Sequence, residues 1–345
     1  MSGGVDSSVA AFLLKEQGLE VVGLTMCLGV RDGEDDSRSQ CCGAQAIEDA
    51  KAVCRQLNID HYVLDFSDDL EKKVIADFVS EYMSGRTPNP CVRCNEYLKF
   101  GKLLRYAKNM GFDFLATGHY ARIEKAAEHF LLKKPKDAIK DQTYFLYGIR
   151  KEDLPFILFP LADYTKEQVR EIARKNKLAV ADKPQSQDIC FVQDTDYADF
   201  IFQRTGQKKE GDIVDSGGNV LGRHKGIFHY TRGQSRGLGI AVGKPLYVVG
   251  IDADKNRVVV GDRDDLEAQG LIAEAVNILS QELPPKIWAK IRYGQKEAPC
   301  RVKFCKDKTL EVIFDQAQEA ISPGQSIVLY DNDIVCGGGI IKKSL

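Results

Sequence analysis

Apolar positions in the N-terminal part of the chain alternate between two periods. Runs with strand character lie at Glu20 to Met26, His61 to Phe66 and Phe112 to Thr117. Helical spacing is found over Ala44 to Leu57, Leu70 to Met83, Lys166 to Asn176 and Tyr197 to Arg204. This alternation predicts a doubly wound parallel sheet with helices on both faces, an α/β domain of the Rossmann-like type. Ligands of such a domain collect at the carboxyl ends of the strands.

The pattern changes from about Lys208, where glycines become frequent and apolar runs become short. Runs at Gly226 to Tyr230, Leu246 to Ile251 and Arg257 to Val260 predict a small β-rich domain. From about Leu271, further runs at Ile287 to Tyr293, Ala298 to Phe304, Thr309 to Phe314 and Ser326 to Tyr330 predict a β-barrel. We therefore expect three domains, over residues 1–205, 206–270 and 271–345.

Composition narrows the class of protein. The chain has 345 residues, of which 43% are hydrophobic and 28% charged, as in ordinary globular proteins. Because it carries neither an apolar run of membrane-spanning length nor a secretion signal, we expect a cytoplasmic protein without a membrane partner. Its ten cysteines are then better explained as core residues, metal ligands or reactive thiols than as a disulfide framework.

Charge is distributed unevenly although the net charge is only −2. The segment from Asn219 to Gly250 contains five basic residues and no carboxylate, and Lys286 to Lys308 contains eight basic residues against Glu297 and Asp307. Local basic segments of this kind indicate contact with a polyanion. We expect that contact in the C-terminal half.

The chain begins with a short glycine-rich loop, Ser2-Gly3-Gly4-Val5-Asp6-Ser7-Ser8, that leads into a helical pattern. Adjacent glycines, serine hydroxyls and a helix N-terminus together form a cradle for phosphate. A Walker loop would require a lysine, which is absent here. The loop resembles that of N-type ATP pyrophosphatases, which hold the β- and γ-phosphates while a nucleophile attacks the α-phosphate. The alternative is a turn that caps an ordinary helix.

Only Met1 precedes this loop. Phosphate loops of this kind normally follow a buried strand that anchors them. We therefore expect that the first strand of the domain lies upstream of Met1.

A second group of candidate residues is the pair Cys91 and Cys94, in Thr87-Pro88-Asn89-Pro90-Cys91-Val92-Arg93-Cys94 at a predicted helix start. The helix dipole and Arg93 are expected to lower the pKa of these thiols. Cys190, after a polar segment, is a third candidate, with a core position as its alternative. Two alternatives exist for the pair: two packed cysteines, or a structural zinc site with further ligands from Cys41, Cys42 and Cys54. Five cysteines lie in or beside apolar runs and are expected to be core residues: Cys27, Cys54, Cys300, Cys305 and Cys336.

Taken together, these motifs resemble the tRNA-specific 2-thiouridylase family. Beside the loop and the cysteine pair, the match rests on Gly23-Leu24-Thr25-Met26, Ala116-Thr117-Gly118-His119-Tyr120, Lys140-Asp141-Gln142, Asp188-Ile189-Cys190-Phe191 and Ser322-Pro323-Gly324-Gln325. The resemblance covers nearly the whole chain. It implies an N-terminal domain of the adenine nucleotide α-hydrolase type. It also implies insertion of sulfur at C2 of the wobble uridine in the tRNA anticodon loop, with ATP and Mg²⁺.

The resemblance also implies roles for individual residues. ATP would be bound by Ser2, Gly3, Gly4, Val5, Asp6, Ser7, Met26 and Gly118. Cys94 would be the catalytic nucleophile, and Cys190 would carry the persulfide sulfur. Contacts to tRNA would come from Asn89, Pro90, Cys91, His119, Lys140, Asp141, Gln142, Arg292, Tyr293 and Gln325, of which the first three would touch the target base. The sulfur would come from a donor protein such as a cysteine desulfurase or a sulfur relay carrier.

One position departs from a common form of the family. An aspartate stands three residues before the nucleophile there, and Cys91 occupies that position here. Related thiolation enzymes bind a [4Fe–4S] cluster through a CxxC pair and a distant cysteine. Two alternatives therefore stay open: a cluster on Cys91, Cys94 and Cys190, or a persulfide route without one.

Two other functions fit parts of the sequence. The first is a different adenylating enzyme, such as an amidotransferase synthetase. The second is a non-catalytic RNA-binding protein with a zinc knuckle. Release of pyrophosphate that depends on tRNA discriminates among the three.

Overall fold

The computed structural model describes residues 1–29, 44–184, 189–192, 196–206, 209–240 and 242–345. Contacts between residues divide the chain into two compact units. Unit 1 comprises Met1–Val74, Cys91–Gln193 and Asp333–Val335, and unit 2 comprises Ile75–Pro90, Asp194–Asn332 and Cys336–Leu345. The segment before Cys91 thus belongs to unit 2, although parts of unit 1 flank it in sequence.

The helices agree with the predicted apolar periods. They are α1 (Val5–Glu16), α2 (Ala44–Leu57), α3 (Ser67–Leu70), α4 (Ala76–Met83), α5 (Pro90–Arg93), α6 (Leu104–Asn109), α7 (Lys166–Lys175) and α8 (Tyr197–Thr205). Two π-helical segments, Glu71–Ile75 and Cys94–Leu103, join α3 to α4 and α5 to α6. Continuous helices therefore cover 67–83 and 90–109.

The strands form parallel pairs in unit 1 and mainly antiparallel sheets in unit 2. They are β1 (Gly23–Cys27), β2 (His61–Asp65), β3 (Leu115–Ala116), β4 (Arg122–Ala126), β5 (His129–Lys133), β6 (Ile157–Leu158), β7 (Gly211–Asp215), β8 (Val220–His224), β9 (Tyr247–Asp252), β10 (Arg257–Gly261), β11 (Glu267–Ile278), β12 (Ile287–Lys290), β13 (Ala298–Phe304), β14 (Leu310–Glu319), β15 (Ser326–Asp331) and β16 (Ile334–Ser344).

The parallel strands of unit 1 occur in two parts. β1 pairs with β2, and β3 pairs with β6, both in parallel. Met1 lies against β1, where its ammonium group donates to Leu24 O and its carbonyl accepts a 2.8 Å hydrogen bond from Thr25 Oγ1. The parallel α/β class is confirmed, and the described strands of this sheet are arranged as two pairs. The antiparallel hairpin of β4 and β5 was not predicted.

The core of unit 1 lies between α1, α2 and α7. Val9, Val53, Leu161 and Val169 are completely buried in it. α7 begins with a capping box, in which Thr165 and Gln168 exchange side-chain and backbone hydrogen bonds. This packing fixes the direction of α1, and with it the position of the glycine-rich loop.

Unit 2 contains a four-stranded sheet in the order β8-β7-β10-β9. Its buried side chains are those of Ile213, Val248, Val258 and Val260, among others. The predicted strand from Gly226 to Tyr230 is wrong, because Ile227–His229 is a 3₁₀ turn. Gly226 N–H donates to the ring nitrogen Nδ1 of His224, which folds the chain back before a strand can form.

The C-terminal strands form a closed barrel, as predicted. The order is β11-β14-β13-β12-β15-β16, and pairing of β11 with β16 closes it. The alternating apolar positions of these strands point inward and include Leu271, Leu310, Val312 and Leu329, all completely buried. Within the described ranges, no helix is long and apolar enough to cross a membrane.

Candidate active site

The glycine-rich loop is stabilised by hydrogen bonds among its own residues. Gly4 is the N-cap of α1. Ser2 N–H donates to Ser7 Oγ at 3.1 Å, and the hydroxyls of Ser7 and Ser8 donate to Gly4 O at 3.1 and 2.9 Å. The helix N-terminus behind this loop offers backbone N–H groups to an anion.

Two glycines let other parts of unit 1 approach the loop closely. Gly3 has a φ of +66°, and an added Cβ would lie 2.8 Å from the carbonyl carbon of Ala46. A Cβ on Gly118, which follows β3, would lie 2.7 Å from Ser7 N. The structure therefore brings Gly118 to the loop. Met26 lies near the carboxyl end of β1 and is half-buried.

Asp6 of the loop is held by two side chains that were not among the predicted site residues. Lys166 Nζ lies 2.5 Å from Asp6 Oδ1, and the hydroxyl of Tyr120 donates to the same oxygen at 3.0 Å. Burial, followed by the charge of Asp6, raises the pKa of Tyr120, so this hydroxyl remains a donor. Tyr120 follows directly on the Gly118-His119 motif, which was the available signal.

A lysine does lie beside the loop, although the loop itself has none. Lys183 Nζ donates to Gly3 O at 3.1 Å and lies 2.5 Å from Asp49 Oδ2. Its distance in sequence from the loop explains why the motif did not reveal it. The site therefore contains a cation that local sequence could not supply.

Cys91 and Cys94 lie in the first turns of the continuous helix 90–109. Cys91 is exposed and Cys94 is half-buried. The predicted lowering of their pKa is wrong, because the protein atoms around both sulfurs desolvate the thiolate and raise the pKa of each thiol. Arg93, expected to help, lies 3.2 Å from Glu96 Oε2 instead. The charge of Lys99 opposes the effect of burial on both thiols.

Cys190 lies in a turn and is exposed. Among the described residues, no three His, Cys, Asp or Glu side chains form a group that could hold a metal ion. Both alternatives for Cys91, Cys94 and Cys190, a [4Fe–4S] cluster and a persulfide route, stay predictions. Cys41 and Cys42, named for zinc, lie outside the described residues. Of the five expected core cysteines, Cys54, Cys300 and Cys336 are buried, Cys305 is half-buried and Cys27 is disulfide-bonded.

His119 is placed between the loop region and the cysteine helix of unit 1. Its Nδ1 lies 2.8 Å from Thr117 Oγ1, and its Nε2 lies 3.4 Å from Lys99 Nζ. Burial, together with the charge of Lys99, holds the pKa of His119 well below its usual value. The imidazole is therefore neutral at physiological pH.

The Lys140-Asp141-Gln142 motif is tied into local structure. Buried Asp141 accepts hydrogen bonds from Thr143 N and Oγ1, at 2.9 and 2.6 Å. Gln142 Oε1 accepts from Tyr120 N–H at 2.8 Å. Contact of these residues with tRNA remains a prediction, and their observed role is to brace the segment after Gly118.

The other residues predicted to meet tRNA lie in unit 2. Arg292 Nη2 donates to Ala320 O at 2.6 Å, which anchors the guanidinium against the barrel. Tyr293 is 42% exposed and so available to a ligand. Gln325 donates to the backbone of Thr87, in the same segment as Asn89 and Pro90.

Family models match three consecutive regions of the chain. They are described as the tRNA methyl transferase HUP domain, over residues 1–194, the tRNA methyl transferase PRC-barrel domain, over 198–262, and the aminomethyltransferase beta-barrel domain, over 268–341. Fold and loop thus define a HUP-type α/β protein that uses a nucleotide and carries two β domains.

The full chain is similar to curated relatives. It is 54% identical to tRNA-specific 2-thiouridylase MnmA 1 of Syntrophus aciditrophicus, an alignment that covers 100% of this chain and 92% of the relative. It is 48% identical to MnmA of Clostridioides difficile, with 100% and 97% covered, and 50% identical to MnmA of Acetivibrio thermocellus, with 99% and 98% covered. The chain belongs to the tRNA-specific 2-thiouridylase family.

Proposed function

We propose that this enzyme catalyses ATP-dependent 2-thiolation of the wobble uridine of tRNA. The observation that carries the proposal is the presence, in one unit, of a lysine-free phosphate loop and a helix that begins with two thiols. The loop suits adenylation, and the thiols suit sulfur transfer. Neither half-reaction alone accounts for both features.

In the first half-reaction, the loop from Ser2 to Ser7 binds the β- and γ-phosphates of ATP, while Met26 and Gly118 bind the nucleoside part. The uridine O2 attacks the α-phosphorus, and pyrophosphate leaves. Mg²⁺ is usually held by phosphates and one or two carboxylates, so Asp6, whose Oδ1 contacts Lys166 and Tyr120, would be its candidate ligand, and the ion would neutralise charge on the phosphates. Lys183, which donates to Gly3 O and pairs with Asp49, holds the backbone of the loop in place for the phosphates.

In the second half-reaction, the terminal sulfur of a Cys190 persulfide attacks C2 and AMP leaves. The thiolate of Cys94 then attacks the Cys190 sulfur. The C2-bound sulfur is released as 2-thiouridine, and a Cys94–Cys190 disulfide forms. An external thiol reduces that disulfide, and a sulfur-donor protein restores the persulfide. This route uses both thiols and requires no cluster.

Two features support tRNA as the substrate. The relatives are named as tRNA-specific enzymes, and the basic segments of the C-terminal half fall in unit 2, where Arg292, Tyr293 and Gln325 lie. We assign the catalytic domain to residues 1–205 and the two β domains to 206–270 and 271–345. A base in a folded anticodon loop must be turned out of its stack before it can react. Asn89, Pro90 and Cys91 are the residues proposed to receive it.

The test is an anaerobic reaction of the enzyme with an unmodified tRNA transcript, ATP, Mg²⁺ and a thiol reductant, in which a cysteine desulfurase with L-cysteine supplies the persulfide sulfur. We expect pyrophosphate release that depends on tRNA, and 2-thiouridine detected by nucleoside mass spectrometry. A transcript with cytidine at the wobble position is the matched control and should give neither product.

Other outcomes identify the alternatives. Pyrophosphate release without tRNA indicates a different adenylating enzyme, and tRNA binding without pyrophosphate release indicates a non-catalytic RNA-binding protein. Iron and acid-labile sulfide are measured on the same sample. Full thiolation by iron-free enzyme supports the persulfide route, whereas activity that rises with bound iron supports the [4Fe–4S] cluster.

A further inference from the structure

The four residues before Cys91 have few main-chain hydrogen-bond donors. Pro88 and Pro90 lack a backbone N–H, so only Thr87 and Asn89 can donate from the main chain. The residue before a proline is also driven out of the helical region. An extended segment of this composition depends on donors from elsewhere in the molecule for its carbonyl groups.

Those donors come from the turn between β14 and β15, within unit 2. Gln325 Nε2 donates to Thr87 O at 2.9 Å and to Pro88 O at 3.3 Å. In return, Thr87 N–H donates to Pro323 O at 2.8 Å. Three hydrogen bonds therefore connect two segments that are more than two hundred residues apart in sequence.

Gln325 is itself fixed by the barrel. Its backbone N–H donates to Ser322 O at 3.2 Å, and its carbonyl accepts from Ile341 N at 2.8 Å. Gly324, with a φ of +91°, brings the turn so near that an added Cβ would lie 2.8 Å from Thr87 N. The turn before β15 thus holds the amide that contacts Thr87 and Pro88.

We propose that Gln325 is a positioning residue, which fixes the backbone of Thr87 and Pro88 so that Asn89 and Pro90 meet the target base in one orientation. The inference rests on the proposed function for the identity of that base. It adds a role to the family expectation, in which Gln325 contacts tRNA: the Nε2 group donates to two backbone carbonyls, and Oε1 remains an acceptor for a ligand.

The experiment replaces the amide with a side chain of similar length that has no donor, Gln325→Met. The matched control is Gln318→Met in the same barrel, since the Gln318 amide donates to the backbone of its neighbours Gln316 and Ala317. Single-turnover thiolation at saturating tRNA is expected to fall by about tenfold to a hundredfold in Gln325→Met, because small displacements of reacting groups have effects of this order. The Kd for tRNA should change less than about threefold, and the control should match the wild type.

A second readout does not depend on activity. Hydrogen exchange of the peptide that covers residues 85–92 reports on Thr87 N–H, and its protection should fall at least about tenfold in Gln325→Met only. Weaker tRNA binding with full rate at saturating tRNA would show a tRNA contact and overturn the proposal. Unchanged exchange and rate would also overturn it. If the wild type does not thiolate tRNA but Gln325→Met still loses protection, the proposed function is wrong. The role of Gln325 in fixing the backbone of Thr87 is then still supported.

Discussion

The glycine-rich loop and the segment Thr87–Pro90 precede the two helices that carry the proposed chemistry, yet they are stabilised differently. Hydrogen bonds among the loop's own residues span at most five positions, such as Ser2 to Ser7, and the side chains of Tyr120, Lys166 and Lys183 add contacts from elsewhere in unit 1. The segment is held by Gln325, which is 238 positions from Thr87. Local sequence therefore supplies the backbone hydrogen bonds of the first conformation, whereas those of the second come from a distant part of the chain.

This difference has a functional consequence. A locally encoded phosphate loop keeps its form as long as α1 is folded and packed on α2 and α7. The orientation of the segment before Cys91 depends in addition on a folded barrel. Damage to the barrel is therefore expected to impair the reaction of the target base before it impairs the binding of ATP.

The largest separation of the two halves is expected from Cys94→Ser. Because a serine hydroxyl is a far weaker nucleophile than a thiolate at neutral pH, thiolation should fall by about a thousandfold or more. Pyrophosphate release in the presence of tRNA should persist. Cys305→Ser, in the barrel, is the control and should retain thiolation; equal thiolation by both variants would contradict the assignment of Cys94.

Gly3→Ala tests the locally encoded region. A side chain there meets the backbone of Ala46 and requires a φ of +66°, so the loop must shift. Pyrophosphate release should fall by about a hundredfold. Gly18→Ala, at the other end of α1, has a φ of +79° but nothing within 4 Å of an added Cβ. Gly18→Ala should lose only about 1 kcal/mol in the free energy of unfolding. A comparable loss of pyrophosphate release in both variants would show that backbone strain, without contact with Ala46, is sufficient.

Gly324→Ala tests the remotely encoded region. Overlap with the backbone of Thr87 should cost about 1–3 kcal/mol in the free energy of unfolding and lower thiolation by about tenfold. ATP binding should be unaffected. The control Gly239→Ala has a similar φ of +69° with open space around it. Denaturant unfolding and single-turnover assays on both proteins measure the two effects, and a loss of ATP binding would mean that the regions are not independent.

The smallest expected effect concerns pH. The charge of Lys99 lowers the pKa of Cys94 against the stronger effect of burial. Lys99→Met should therefore raise the pKa further and leave less thiolate at any given pH. Alkylation of Cys94 by iodoacetamide, followed by peptide mass spectrometry, should show a midpoint at higher pH. Lys102→Met removes another cation of the helix that carries Lys99, one that pairs with Asp69 of α3. This variant should leave the midpoint of Cys94 alkylation unchanged.

Features of the fold that follow from short-range periodicity were predictable. The helices of unit 1 and the strands of the barrel match the apolar pattern, and the loop could be interpreted because its conformation is local. The turn at Ile227–His229 was missed because its cause, a hydrogen bond to the ring of buried His224, leaves no mark on the apolar pattern.

The electrostatics of the site were not predictable from spacing. Arg93 is near both cysteines in sequence, but Glu96 engages it, and burial dominates the thiol pKa values. Lys183 and Lys166 reach the loop only through the packing of unit 1. Motifs identified the thiols, whereas their ionisation depends on neighbours that only the folded chain supplies.

The π-helical segment Cys94–Leu103 determines the direction in which the residues before it face. Its backbone hydrogen bonds span five residues instead of four. Deletion of one residue would be absorbed when a π turn tightens to an α turn, but the same tightening at unchanged chain length would rotate everything before it by about 100°, the angle of one residue. Cys91 and Cys94 would then face a different direction while the helix remained intact. In this helix the number of residues, as much as their identity, determines the direction in which the two thiols face.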